Sequence, residues 1–206
     1  MSNPKRTTKK WILGADPGKN GAIVLINAKK KFGEFTSDDV VCIPTKTNDG
    51  KIDVVRMVDA LTPYAKDIVL MVQEHVHAIY GSSAKGSFEF GDANGALRAA
   101  LSIVSHIAGT DLPVHLVMPK KWQEVAWKPI SVVGAPIIDK ETGEPQLLRN
   151  GSIKIKIDTK ATSLSAAHST FPGVSFVQPR CKKEHDGCVD AALIAYYGLR
   201  KLISRR

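Results

Sequence analysis

Cysteine is scarce in this chain, acids are outnumbered by bases, and no apolar run is long enough to cross a membrane. Three cysteines in 206 residues, Cys42, Cys181 and Cys188, form an odd and scattered set. That excludes a disulfide framework and suits a reducing compartment. Cys181, His185 and Cys188 lie close in sequence, yet no CxxC pair accompanies them and a fourth ligand is missing, so a structural zinc site is not expected. A membrane span needs about 20 consecutive apolar residues, and none occurs. Residues 1–10 are polar and basic, without a signal-peptide core. The expected setting is the cytoplasm, or a host cytoplasm if the chain is viral, with no membrane partner. The length leaves room for one hydrophobic core rather than two, so a flexible basic tail over 1–10 and a single domain over 11–206 are expected.

The shortage of acids gives those present more weight. Twenty-nine Lys and Arg against 20 Asp and Glu leave a formal charge of +9, which favours a polyanionic partner such as nucleic acid. Lys and Arg bind phosphate, so carboxylates gathered in such a protein need another partner. A hard divalent cation held by oxygen ligands is the obvious one. Four acids stand where strands should end or a helix should begin: Asp16, Glu74, Asp186 and Asp190. Together they point to a metal-dependent nuclease.

Residues 11–15 are apolar and lead into Asp16-Pro17-Gly18-Lys19-Asn20-Gly21, after which 22–26 are apolar again. Two strands around a Gly-rich turn follow, with Asp16 at the mouth of the hairpin. A third strand is expected near 40–43, and Val54, Val55, Val58 and Leu61 have helical spacing. The β-branched run 68–72 predicts a buried central strand that delivers Glu74 at its far end. An isolated buried carboxylate is unfavourable, so Glu74 needs a cation or strong hydrogen bonds. Residues 78–86 suggest a loop and 91–108 a helix with Leu97, Leu101, Val104 and Ala108 on one face. Phe88 and Phe90 are expected in the core. A short strand over 114–118 precedes Lys120-Lys121-Trp122-Gln123, and the strand and helix alternation marks an α/β layer.

Residues 129–157 break that alternation. Two β-like stretches, 130–138 and 152–157, flank turn signals at Thr142-Gly143 and Asn150-Gly151, which predicts an inserted β-ribbon. Lys154 and Lys156 alternate with Ile153, Ile155 and Ile157, giving one basic and one apolar face. The basic face either lies along DNA or is solvated. Asp158 or Thr159 then caps a helix that runs to about His168.

In the final segment, His185-Asp186-Gly187-Cys188-Val189-Asp190-Ala191-Ala192, Asp186 and Asp190 are four residues apart and share a helix face. Like charges that close raise a pKa, and a divalent cation relieves the repulsion. The helix macrodipole alone accounts for Asp186 in a first turn, but less well for Asp190 one turn farther on.

These segments in combination, Ile-Leu-Gly-Ala-Asp16-Pro-Gly, Gln-Glu74-His-Val, Phe90-Gly-Asp-Ala-Asn-Gly95 and His-Asp186-Gly-Cys-Val-Asp190-Ala-Ala-Leu-Ile-Ala, resemble the RuvC-type Holliday junction resolvases, especially their phage-encoded members. The resemblance spans most of the chain. It implies an RNase H-like α/β fold, a central mixed sheet flanked by helices, with four carboxylates at one edge holding two Mg²⁺ ions for which Mn²⁺ substitutes. Asp16, Glu74 and Asp190 match three family ligands; Asp186 or His185 is the fourth. The implied reaction is two-metal hydrolysis of DNA phosphodiesters. Lys120, Lys121, Lys154, Lys156, Lys182 and Lys183 are candidate DNA contacts. Tyr80 or Phe88 is a candidate wedge into an opened base step. A four-way junction has approximate two-fold symmetry, so paired cuts imply a homodimer. Two rivals remain: a basic module that binds branched DNA without cutting it, and an actin-like ATPase fragment, suggested by the turn at 16–21 but needing a second domain for which this chain is too short.

Overall fold

The structure is a computed structural model that describes residues 9–18, 20–46, 50–76, 83–109 and 111–203. Most of the basic tail, and Tyr80 with it, therefore lies outside the described residues. A five-stranded sheet forms the centre: β1 (Trp11–Asp16), β2 (Ala22–Asn27), β3 (Val40–Pro44), β4 (Ile68–Glu74) and β5 (Val114–Val117). Its order is β3-β2-β1-β4-β5. The hairpin β1-β2 and the pair β2-β3 are antiparallel, whereas β1-β4 and β4-β5 are parallel. The sheet is therefore mixed and flanked by helices, the α/β architecture expected from the sequence. β1, β2 and β4 read as nearly unbroken apolar runs because helices cover them on both faces.

Strand alternation divides the core in two. On one face Leu13, Leu25 and Met71 pack against α1 (Val54–Leu61) and α2 (Ala84–Ala108) through Met57, Leu61, Leu97 and Leu101. On the other, Ile12, Val24 and Val72 meet α3 (Pro119–Ala126), α4 (Thr159–Thr170) and α5 (Asp186–Gly198) through Trp122, Ala167, Leu193 and Ala195. Each large apolar side chain fully buried in these layers contributes about 1.5–3 kcal/mol. Asp53 and Asp158 cap α1 and α4 by accepting from the N–H groups of Arg56 and Ala161, which satisfies donors the helices leave open.

α5 approaches the sheet more closely than side chains would allow. A Cβ on Gly14 of β1 would overlap the carbonyl oxygen of Ala191 and the backbone nitrogen of Ala195. One on Gly187 would overlap the carbonyl oxygen of Asn20 in the β1-β2 turn. Glycine is required at both places for space, and Ala191, Ala192 and Ala195 complete a thin, fully buried helix face. The beginning of α5 is thereby held against the end of β1.

Two expectations need correction. The helix expected over 91–108 begins two turns earlier, at Ala84, where the Ser83 hydroxyl accepts from the Gly86 N–H. The cap outweighs the small, polar, loop-like composition. Phe88, expected in the core, is 79% exposed, and the other residues of the first turn of α2 are exposed with it. The ribbon is present but shorter in its regular part: β6 (Gly134–Pro136) pairs antiparallel with β7 (Ile155–Ile157). Isolated bridges Ile138 to Pro145 and Leu147 to Ile153 extend it.

Candidate metal centre

Three of the four acids arrive on one side of the sheet, two of them by simple strand alternation. Ile12, Gly14 and Asp16 point to the α5 face of β1, and Leu70, Val72 and Glu74 to the same face of β4. The two strands are parallel neighbours with Ala15 opposite Gln73, so both carboxylates emerge at the same sheet end. α5, fixed by the Gly14 and Gly187 contacts, brings Asp190 beside them. Asp186, one turn earlier, lies farther out and is exposed.

The electrostatics record the crowding. Burial first, then the charge of Asp190 and, more weakly, those of Glu74 and Asp186, push Asp16 up to about 7. The Gly18 N–H, which Asp16 Oδ1 accepts at 3.0 Å, opposes the shift. Burial likewise raises Asp190 to about 6, with the Ser163 hydroxyl lowering it and Glu74 and Asp186 raising it. Glu74 is raised by burial, against the stabilising indole N–H of Trp122, which donates to Oε1 at 3.0 Å. Burial and mutual repulsion disfavour the charged form of these carboxylates, and a nearby positive charge would favour it.

The chemistry of the donors fits a divalent cation. Asp190 Oδ1 is buried with no hydrogen-bond partner, an arrangement that is unfavourable for a carboxylate unless a cation or proton completes it. All four groups offer hard oxygen ligands of the kind Mg²⁺ and Mn²⁺ take. Among the described residues, however, no three Asp, Glu, His or Cys side chains converge tightly enough to form a finished ligand cluster. Trp122 holds Glu74 through its indole N–H, and Asp186 Oδ2 accepts from Lys160 Nζ at 2.6 Å. A cation held by Asp186 would have to displace Lys160. That displacement is inexpensive, because an exposed ion pair is worth only about 0–1 kcal/mol.

His185, the other candidate ligand, is engaged as the N-cap of α5, its Nδ1 accepting from the Cys188 N–H at 3.2 Å. Burial lowers its pKa, so the ring is held neutral. A cleft of about 370 Å³ opens beside the acids, lined by Lys160, Ser163, Lys182, Lys183, Asp186 and Asp190 among others. Lys182 and Lys183 are thus brought to the carboxylates. Lys120 and Lys121 stand exposed at the start of α3, the helix whose Trp122 reaches Glu74. Lys154 and Lys156 are exposed on the ribbon.

Sequence reasoning missed Trp122, Lys160 and Ser163. Trp122 sat in a basic stretch read as a DNA contact, yet it is 2% exposed; a buried indole N–H needs an acceptor, which was the available signal. Asn94, part of the motif at 90–95, accepts from Gln73 Nε2 at 2.7 Å and so ties α2 to the strand that presents Glu74.

No protein-family model matches the sequence, and no curated protein sequence matches it. Among solved structures the chain is similar to T. thermophilus RuvC in complex with a Holliday junction substrate. That likeness covers 92% of this chain and 95% of the other, at 12% sequence identity and a TM-score of 0.49.

Proposed function

We propose that the protein is a divalent-metal-dependent endodeoxyribonuclease that cuts branched DNA, four-way junctions above all, and that it works as a homodimer making paired nicks. The domain responsible is 11–206, with the ribbon inserted at about 129–157. The observation that carries this reading is the buried pair Asp16 and Asp190, raised to about 7 and 6, with Asp190 Oδ1 left unpartnered in a chain of charge +9. A basic surface attracts the phosphate backbone, and only a cation makes an acidic pocket at its centre hospitable to phosphate.

Asp16, Glu74, Asp190 and Asp186 would hold the ions. The neutral, capping His185 serves the helix instead. Bound Mg²⁺ or Mn²⁺ supplies Lewis-acid stabilisation of the charge that builds up in phosphodiester hydrolysis. The chain's own groups do the rest. Trp122 fixes the rotamer of Glu74, Gly18 orients the Asp16 carboxylate, and Lys160, Lys182 and Lys183 draw a phosphate into the cleft. Lys120, Lys121, Lys154 and Lys156 extend the contact along the DNA arms.

The test uses labelled four-way junction and linear duplex with Mg²⁺, Mn²⁺ or chelator. Symmetric, metal-dependent nicks in the junction alone are expected. Asp16→Asn should lose cleavage and keep junction binding, since removing a negative charge does not weaken attraction to phosphate. Binding without metal-dependent cutting by the unaltered protein would replace this reading with the non-catalytic module.

A further inference from the structure

The ribbon has an apolar face that none of the described residues covers. Directly opposed residues of antiparallel strands share a face, and so do residues two apart. The pairings Pro136 to Ile155, Ile138 to Pro145 and Leu147 to Ile153 therefore place Pro136, Ile138, Leu147, Ile153, Ile155 and Ile157 on one side. Lys154, Lys156 and Ala135, which pairs with Lys156, occupy the other. Ile138 is 49% exposed, Leu147 63%, Ile153 47%, Ile155 50% and Ile157 42%. The ladder itself is well formed, with Lys154 N–H donating to Gln146 at 2.7 Å and Ile137 N–H to Lys154 at 2.9 Å. The exposure is a property of a folded element.

We propose that this face seats the same face of a second copy, two ribbons stacking across a two-fold axis. Three features select that occupant. The face carries no charge, which excludes the phosphate backbone as its partner and makes it its own complement, as an isologous contact requires. Its exposed area is on the order of 500 Å² per copy, so a pair would bury about 1,000 Å², the lower bound of a specific interface. A ribbon with three-residue strands is marginal alone, and stacking makes it one half of a two-layer sandwich. The opposite face then leaves Lys154 and Lys156 free to meet DNA. The base of the ribbon adjoins the acids, because Lys160, which holds Asp186, also lines the groove formed by 133–138 and 156–160. Stacking would thus set the spacing of two cutting centres. The surface deepens the dimeric part of the function proposed above and is tested separately from cleavage.

Size-exclusion chromatography with light scattering on the full chain, across a wide range of concentrations, reads the mass. The unaltered protein is expected as a dimer. Ile138→Asp with Ile155→Asp should raise the dimer dissociation constant roughly 100-fold or more, with far-UV circular dichroism unchanged. Leu147→Ala with Ile155→Ala, which adds no charge, should shift it the same way by less. Lys154→Gln with Lys156→Gln, on the opposite face, should leave the mass unaltered. An unaltered protein that is monomeric throughout, or a dimer indifferent to both apolar-face variants, overturns the surface even if the protein cuts junctions. A dimer that falls apart in those variants upholds it even if no metal ever elicits cleavage, an outcome that would sink only the nuclease reading.

Discussion

The acidic end of the sheet and the ribbon are opposite solutions to holding a functional surface. At the acidic end the backbone of α5 presses on Gly14 and on the turn at Asn20, so charged groups that repel one another stay together because the surrounding packing gives them nowhere else to go. At the ribbon, three-residue strands stand clear of the core, and their apolar side chains are exposed. Burial raises carboxylate pKa values in the first region and leaves hydrophobic area unspent in the second. The first is therefore suited to a small cation and the second to a large partner. Substitutions should follow the same division, with the acidic end sensitive in both stability and activity and the ribbon sensitive only in binding.

The largest effect is expected at Asp16. Asp16→Asn should lower cleavage by on the order of 10³-fold or more, about 4 kcal/mol of transition-state stabilisation. In chelator at neutral pH it should raise the thermal midpoint, because a buried charge is gone. A variant that cuts normally would remove the distinction between the two regions at its root. Gly14→Val comes next: its side chain meets the backbone of α5, and a loss of about 3–5 kcal/mol in denaturant unfolding is expected, the range of the severe core lesions.

pH gives a third measure. The ordinary value for Asp16 is 3.8 and its folded value about 7, so between these limits the folded state binds more protons than the unfolded. Stability present at low pH is lost as pH rises through about 7, by on the order of 4 kcal/mol for a shift of this size. Melts in chelator should show that decline, and millimolar Mg²⁺ or Mn²⁺ should raise the midpoint most at the alkaline end, where the acids are ionised. A flat profile in chelator would show that neither burial nor neighbouring charge holds these acids above their ordinary values.

Trp122→Phe keeps most of the packing and removes the donor to Glu74. It should cost about 1–2 kcal/mol and lower cleavage while junction binding persists. The smallest effect on stability belongs to the ribbon: Lys154→Gln with Lys156→Gln should leave the melt within about 0.5 kcal/mol, yet reduce the salt dependence of DNA binding by about two counterions. Unchanged salt dependence would show that the basic face is only solvated.

Several elements were legible in advance because their signals are local. The apolar runs of β1, β2 and β4 and the spacing of Val54, Val58 and Leu61 carry their own periodicity, and Asp158 is a cap by position and type. Asp16 and Glu74 could be placed at strand ends for the same reason. The first turns of α2 were not legible, since Gly86 and the serines around it favour a loop and only the Ser83 cap tips the balance. Nor was the fate of Phe88, which depends on what the first turn of α2 packs against in space. Trp122 and Lys160 were missed because their partners lie 48 and 26 residues away in sequence, beyond any spacing rule.

Periodicities of two and 3.6 residues act between near neighbours, so most of the order of strands and helices, α3 excepted, the acids at their ends and the two-faced ribbon were already written in the chain. Which carboxylates share one buried pocket, how far their protons are held above ordinary pH, which lysine faces them and which apolar face is left uncovered all depend on distances through space. Coulomb repulsion and loss of solvent act between groups that folding makes neighbours, and they have no value until it does.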